Sequence, residues 1–302
     1  MSTVHIPVLP DEVVEWLIPQ DARDSELTLV DGTLGGGGHT RLLLEAMGGR
    51  GKLISVDRDS EAVEKTRALL SAELDAEILR PWRSTAANYS DLPEIINSID
   101  DVDKVDGILL DVGLSSDQLA DHDRGFSYNA AGALDLRFDR NSGEPASRLV
   151  NRLGEKHLAD IIYRYGEERY SRRVARNICK ARHEQKIATA EQLADIVRRS
   201  VPRSRGHNID PATRTFQALR IAVNEELKWL QVAVSRLPEV LSPMGRLAII
   251  SFHSLEDRIV KNGFNESTSL NVLTRRPVKP SEEEIDRNPR SRSARLRVAE
   301  RR

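Results

Sequence analysis

Cysteine is all but missing from this chain of 302 residues: Cys179 is the only one. A single thiol excludes an internal disulfide, a multi-cysteine zinc site and a cysteine-held iron–sulfur cluster, so no metal centre is expected. Long apolar runs are missing too, and none approaches the roughly 18 residues that cross a bilayer. The first residues, Met1 to Leu9, lack a basic region ahead of an apolar core. No secretory signal is therefore expected, and the plain reading is a cytoplasmic protein. What remains is an ordinary globular composition, 39% hydrophobic and 30% charged. The length suffices for one large or two ordinary domains.

Net charge is only −2, but it is unevenly distributed. Residues 1–119 carry 10 Lys+Arg against 23 Asp+Glu, whereas residues 120–214 carry 19 against 13. Residues 215–270 balance at 6 and 6, and residues 271–302 carry 10 against 5. An acidic half with basic surfaces added to it suits a nucleic-acid partner.

The pattern is organised around Leu27 to Thr40. Leu27, Leu29 and Val30 form a short buried strand ending in Asp31. Gly32 and Gly35 to Gly38 follow, and a helix is expected to open at Thr40. Strand, glycine turn and helix together hold a nucleotide or its analogue at the end of a parallel sheet. A helix is expected from Pro10, strands at Lys52–Asp57, Glu77–Arg80 and Asp106–Asp111, and helices from Ser60 to Leu70 and from Asp91 to about Ser98. This alternation predicts a doubly covered parallel α/β sheet. The next convincing strand starts only at Gly245, far beyond the dozen or so residues that a crossover requires. The spacing therefore predicts an inserted α-helical domain over residues 121–212, between two parts of the sheet domain at 1–120 and 213–302. Helical spacing recurs at Leu153–Tyr165, Arg169–Arg182 and Ala190–Ser200, with a breaker cluster at Pro202–Gly206. Thr213–Leu237 reads as one long return helix and Leu255–Phe264 as another. Asn271–Thr274 and Ala294–Ala299 read as closing strands.

Three ligands compete for the turn. A dinucleotide fingerprint fails, because counting from Gly35 the sixth position is Thr40 instead of glycine. A P-loop fails as well: Gly38 is followed by His39-Thr40, without the lysine that faces a triphosphate. S-adenosylmethionine carries no phosphate and asks for acids at the strand ends. Asp31, Asp57 and Asp111 end three successive strands, with Asp57 placed for the two hydroxyls of a ribose. Helix capping is the alternative use for Asp31 and Asp111.

Asp31-Gly-Thr-Leu-Gly-Gly-Gly-Gly-His39 and Leu109-Leu-Asp-Val-Gly-Leu-Ser-Ser-Asp-Gln118 resemble signature segments of the bacterial RsmH (MraW) family. The resemblance continues through Asp123–Ser127, Leu134–Arg137, Thr213–Glu226, Ser251–Arg258 and Asn288–Ala294, so it spans nearly the whole chain in order. It implies a class I (Rossmann-like) methyltransferase sheet with an inserted helical domain. The implied activity is methylation of cytosine N4 in the decoding region of 16S rRNA of the small ribosomal subunit. By that resemblance Gly37, Gly38 and His39 hold the methionine end of S-adenosyl-L-methionine and Asp57 its ribose. Tyr89 stands where the family usually has Phe and lies against the adenine; Asp111 and Gln118 complete the set. The implied partner is 16S rRNA in the small subunit, with no membrane, and a homodimer is compatible with these features.

A cytosine amino group is a weak nucleophile because its lone pair is delocalised into the ring. An acceptor on its N–H at the end of the fourth strand would localise that pair, which makes Asp111 the catalytic candidate, alongside the Val112–Leu114 backbone. Methylation at C5 would instead need a thiolate, and Cys179 reads as helix packing. Phe252 and His253 after the fifth strand could stack on or hydrogen-bond a base. Phe126 and Phe138 beside Arg124 and Arg137 mix ring and charge in the way that suits unstacked RNA. Arg290, Arg292, Arg295 and Arg297 are candidate phosphate contacts. A nicotinamide oxidoreductase and a non-catalytic ribosome assembly factor are the competing functions.

Overall fold

Leu29, Leu53 and Leu109 point to one side of a sheet, and Val30, Ile54, Ile108 and Leu110 to the other. Successive side chains on a strand alternate between faces, so strands apolar at every position must be covered twice. The computed structural model describes residues 6–22, 24–114, 118–119, 121–127, 132–202 and 210–302. The strands are β1 (Thr28–Asp31), β2 (Lys52–Asp57), β3 (Trp82–Ala86), β4 (Val105–Asp111), β5 (Leu241–Ser251), β6 (Leu270–Val272) and β7 (Arg295–Arg301). They form one sheet in the order β3-β2-β1-β4-β5-β7-β6. β1 to β5 pair in parallel, and β7 runs antiparallel between β5 and β6. Helices Pro10–Leu17 and Gly38–Met47 cover one face; Leu92–Asn97, Glu226–Arg236 and Ser254–Glu266 cover the other. The strand order reverses between β1 and β4, the place where open α/β sheets bind ligands beyond their carboxyl ends.

The chain divides into two compact units, Met1–Ser115 with Leu227–Arg302, and Ser116–Glu226. The second unit therefore takes in 213–226, which the sequence reading gave to the sheet. The expected return helix is two helices, Thr213–Asn224 and Glu226–Arg236, separated by Glu225 in the left-handed region at φ 51°. Within the second unit, Thr213–Asn224 packs on Glu155–Gly166. Gly166 makes that approach feasible, since a Cβ there would lie 2.4 Å from the Arg214 carbonyl oxygen. Helices Ala146–Arg152, Ser171–Glu184 and Ala190–Ser200 complete the bundle. Most of the breaker cluster at Pro202–Gly206 lies outside the described residues.

Asn224 ties this bundle to its preceding loop. Its Oδ1 accepts the Phe138 N–H (2.8 Å), and its Nδ2 donates to the carbonyls of Leu136 (2.7 Å) and Arg220 (2.9 Å). Asn224→Ala strands a buried donor and acceptor and is expected to destabilise the protein by about 2–4 kcal/mol, read by urea unfolding.

The third strand is the clearest departure from expectation. Glu77–Arg80 lies on a helical turn, Ala76–Leu79, and the strand is Trp82–Ala86. Ala, Glu and Leu favour helix, and Ile78 and Leu79 reach the apolar face from that turn. β3 is an edge strand paired only with β2 and largely uncovered, so it needs no apolar run to announce it.

Candidate active site

Asp31 ends β1 fully buried and turned inward. Its Oδ1 accepts the Thr33 N–H (3.0 Å), and its Oδ2 accepts the Thr40 hydroxyl (2.7 Å). Thr40 Oγ1 lies 2.9 Å from Ser55 Oγ, which also accepts the Trp82 indole N–H at 3.0 Å. This chain of polar contacts braces the glycine turn from beneath, so Asp31 is a support for the turn and not a ligand-facing acid. Neither Thr33 nor Ser55 was singled out in the sequence, and Thr40 only as a helix start. The Asp-Gly-Thr string was the available signal, since a short hydroxyl two residues past an acid readily bonds back to it.

The turn is locked to both neighbouring strands: Gly32 N–H donates to the Leu109 carbonyl and Leu34 N–H to that of Val56, both at 2.9 Å. Gly37 caps the following helix at φ 79°, and a Cβ there would lie 2.5 Å from Thr66 Cγ2. Thr66 Oγ1 meanwhile donates to the Gly35 carbonyl at 2.6 Å. The helix opens at Gly38, two residues before the expected Thr40, so Gly38 and His39 belong to its first turn. First-turn N–H groups have no partner within their helix and stand at the positive end of its dipole, where an anionic group is favoured.

Asp57 ends β2 beside this turn. Its Oδ2 accepts the Gly35 N–H (2.8 Å) and its Oδ1 the Asp59 N–H (2.9 Å). Burial pushes its carboxyl up to about 6, against the pull of those two bonds. Asp111 ends β4. Its own N–H donates to Thr33 Oγ1 at 2.7 Å, and its Oδ2 lies 3.6 Å from His39 Nδ1. Its Oδ1 is buried and has no hydrogen-bond partner among the described residues. Burial is the main cause that raises this carboxyl also to about 6; His39 works in the opposite direction. His39 is itself buried, with Nε2 2.8 Å from the Val8 carbonyl oxygen. A carbonyl only accepts, so Nε2 carries the hydrogen and Nδ1 faces Asp111. Tyr89 opens the turn after β3, and its Cβ would lie 3.2 Å from a Cβ on Gly32. The structure thus brings Gly37, Gly38, His39, Asp57, Tyr89 and Asp111 to one edge of the sheet. Gln118, expected with them, is buried and belongs to the helical unit.

Both raised carboxyls bind protons more readily folded than unfolded. Their contribution to stability is therefore present below about pH 4 and is lost as pH rises through about 6. Each accounts for at most about 3 kcal/mol. Asp111→Asn is expected to flatten that fall, measured by urea unfolding between pH 4 and 7.

Several expected RNA contacts have structural employment instead. His253 caps helix Ser254–Glu266: its Nδ1 accepts the Glu256 N–H (3.3 Å), while Glu256 Oε2 accepts the N–H groups of Phe252 (2.8 Å) and His253 (3.2 Å). Phe252 packs its ring against Gly113, where an added Cβ would be 2.5 Å from the ring. Phe126 and Phe138 stack on each other at 5.8 Å. Arg124 donates to the Phe138 carbonyl, and Arg137 forks onto Asp135 at 2.8 and 2.9 Å. Arg297 is buried against Asp257 (2.7 Å), and Arg295 reaches the same carboxylate at 3.4 Å. Of the four candidate phosphate contacts, Arg292 stands exposed and Arg290 is half-buried, both on the turn before β7. Cys179 is half-buried on helix Ser171–Glu184. No helix among the described residues is long and apolar enough to cross a membrane.

A seventh strand running antiparallel between the fifth and sixth is not the dinucleotide-binding order, and no lysine stands in the turn to face a phosphate. Sheet and site together define an enzyme of the Rossmann-like, S-adenosylmethionine-dependent methyltransferase class. The chain belongs to the MraW methylase family, which it matches over residues 2–302. Among curated relatives, "Ribosomal RNA small subunit methyltransferase H" of Rhodopirellula baltica is 46% identical, over 99% of this chain and 92% of its own length. The protein of the same name from Deinococcus radiodurans is 49% identical, over 98% and 89%. Among solved structures, an rRNA methylase from Streptococcus thermophilus is 12% identical with a TM-score of 0.42, covering 95% of this chain and 92% of its own. SMU.1697c of Streptococcus mutans, in complex with SAH, is 11% identical with a TM-score of 0.46, covering 97% and 98%.

Proposed function

We propose that this enzyme methylates the N4 amino group of a cytidine in the decoding region of small-subunit 16S rRNA, working in the cytoplasm. The observation that carries the reading is the free, buried Oδ1 of Asp111 at the strand edge that also holds Asp57 and the first helical turn after Gly37. Those residues fit S-adenosylmethionine. The N–H groups of Gly38 and His39 would hold its carboxylate, with Gly37 turning the chain into that helix start while its own N–H is spent on the Leu34 carbonyl; Asp57 would hold its ribose hydroxyls and the Tyr89 ring its adenine. Gln118 stays in this set on the family resemblance alone. The bound cofactor supplies an electrophilic methyl group on a sulfonium.

The protein's share of the reaction is alignment, proton acceptance and exclusion of water. Asp111 Oδ1 accepts the amino N–H, which localises the nitrogen lone pair toward the methyl group. His39 flanks the other carboxylate oxygen and leaves Oδ1 as the unpaired acceptor. A base inside a helix must leave its stack to be reached, and the basic balance of residues 120–214 suits the helical unit to holding the RNA backbone meanwhile. The test is incubation with labelled S-adenosylmethionine and unmodified small subunits, followed by mass-spectrometric mapping. Label on a cytosine amino group is expected; label on ribose or adenine would sink the assignment.

A further inference from the structure

The backbone just before the first helix is strained. Leu9 is fully buried at φ 52°, ψ 47°, left-handed for a bulky residue that also precedes Pro10. Strain of this kind persists only where surrounding structure holds it. Here the holders come from the far end of the chain. Leu9 N–H donates to Glu284 Oε1 at 2.9 Å, and Asn288 Nδ2 donates to the Ile6 carbonyl at 3.2 Å. Glu284 and Asn288 are themselves buried, and Asn288 N–H closes on the Glu284 carbonyl at 2.7 Å. Between these two attachments, the Val8 carbonyl takes the His39 Nε2 hydrogen. Asn288 also opens the Asn288–Ala294 motif, which the catalytic reading leaves without a purpose.

We infer that Ile6–Leu9 is a strap that positions the methyl-donor site, anchored by Glu284 and Asn288, which hold the Val8 carbonyl against His39 and so keep Nδ1 of that ring toward Asp111. Glu284 and Asn288 are then positioning residues for the reaction. Released from Val8, the imidazole is free to turn on the first helical turn, and Asp111 Oδ2 loses its fixed neighbour. The inference rests on the reading of His39 and Asp111 as parts of the cofactor site.

Its test measures S-adenosylhomocysteine affinity by calorimetry and the His39 tautomer by ¹⁵N imidazole NMR on the full chain. Glu284→Ala and Asn288→Ala are each expected to weaken binding about tenfold, the loss of one well-made hydrogen bond. Both should also move the His39 ring nitrogens from one fixed pair of shifts to averaged ones. Glu284→Gln keeps an acceptor for Leu9 and should stay near wild type. Val260→Ala, a core truncation in helix Ser254–Glu266, should lower stability and change neither readout. Should Glu284→Ala not fold, Asn288→Ala gives the same reading. Unchanged tautomer and affinity in the anchor variants, with affinity lost in His39→Ala, would overturn the strap and leave the site reading standing. Wild-type affinity in both His39→Ala and Asp111→Ala would instead overturn the site reading, and the strap with it.

Discussion

Asp111→Asn is expected to slow methyl transfer about a thousandfold while changing S-adenosylhomocysteine affinity less than tenfold. A positioned proton acceptor typically contributes ~10²–10⁴ in rate, and asparagine keeps the shape of the side chain but not its charge. The orphaned Oδ1 is what separates this residue from Asp57, whose two oxygens are both engaged by backbone N–H groups. Because burial raises the Asp111 carboxyl to about 6, the ionised acceptor dominates only above that pH. Single-turnover rates should therefore rise with pH through about 6 in the wild type and lose that limb in Asp111→Asn. Equal losses of rate and affinity would reduce Asp111 to a cofactor contact.

Gly37→Ala should be nearly as damaging, through affinity. Left-handed φ costs a residue with a Cβ roughly 1–2 kcal/mol, and the new atom would sit 2.5 Å from Thr66 Cγ2. Overpacking of that kind adds ~1–3 kcal/mol. The helix start would have to shift, carrying the Gly38 and His39 N–H groups with it. A fall of about 100-fold in S-adenosylhomocysteine affinity is expected, together with a drop of several degrees in Tm. Thr66→Ser in the same chain separates the two causes: it deletes Cγ2 but keeps the hydroxyl that bonds the Gly35 carbonyl. Partial recovery assigns the difference to the clash and the remainder to φ. No recovery would place the whole effect on the backbone.

Strand ends, glycine turn and cofactor class were legible because each depends on residues adjacent in the chain. β2 runs from Lys52 to Asp57 as expected, and the acids at Asp57 and Asp111 arrive at one sheet edge because parallel strands present their carboxyl ends together. β3 was missed because an edge strand carries little apolar signal. The return helix was misjudged because nothing in its apolar stripe marks Glu225 as left-handed. His253, Arg295 and Arg297 read as RNA contacts by residue type, yet Glu256 and Asp257, on the same helix, claim them. A charged or aromatic side chain cannot be told free from paired until its neighbour is known.

By itself, the sequence determined a doubly covered parallel sheet, a phosphate-free ligand at its glycine turn, and a long helical insertion. Hydrophobic period, glycine spacing and connection length are local quantities that survive without coordinates. Tertiary structure alone decided what each acid does. Asp31, Asp57 and Asp111 are alike in the sequence, but one is spent bracing the turn, one is engaged by two backbone N–H groups, and one keeps a free oxygen. It also decided that Glu284 and Asn288 hold the Ile6–Leu9 segment whose Val8 carbonyl meets His39, since hydrogen bonds across 275 and 282 residues depend on which segments the folded core brings together.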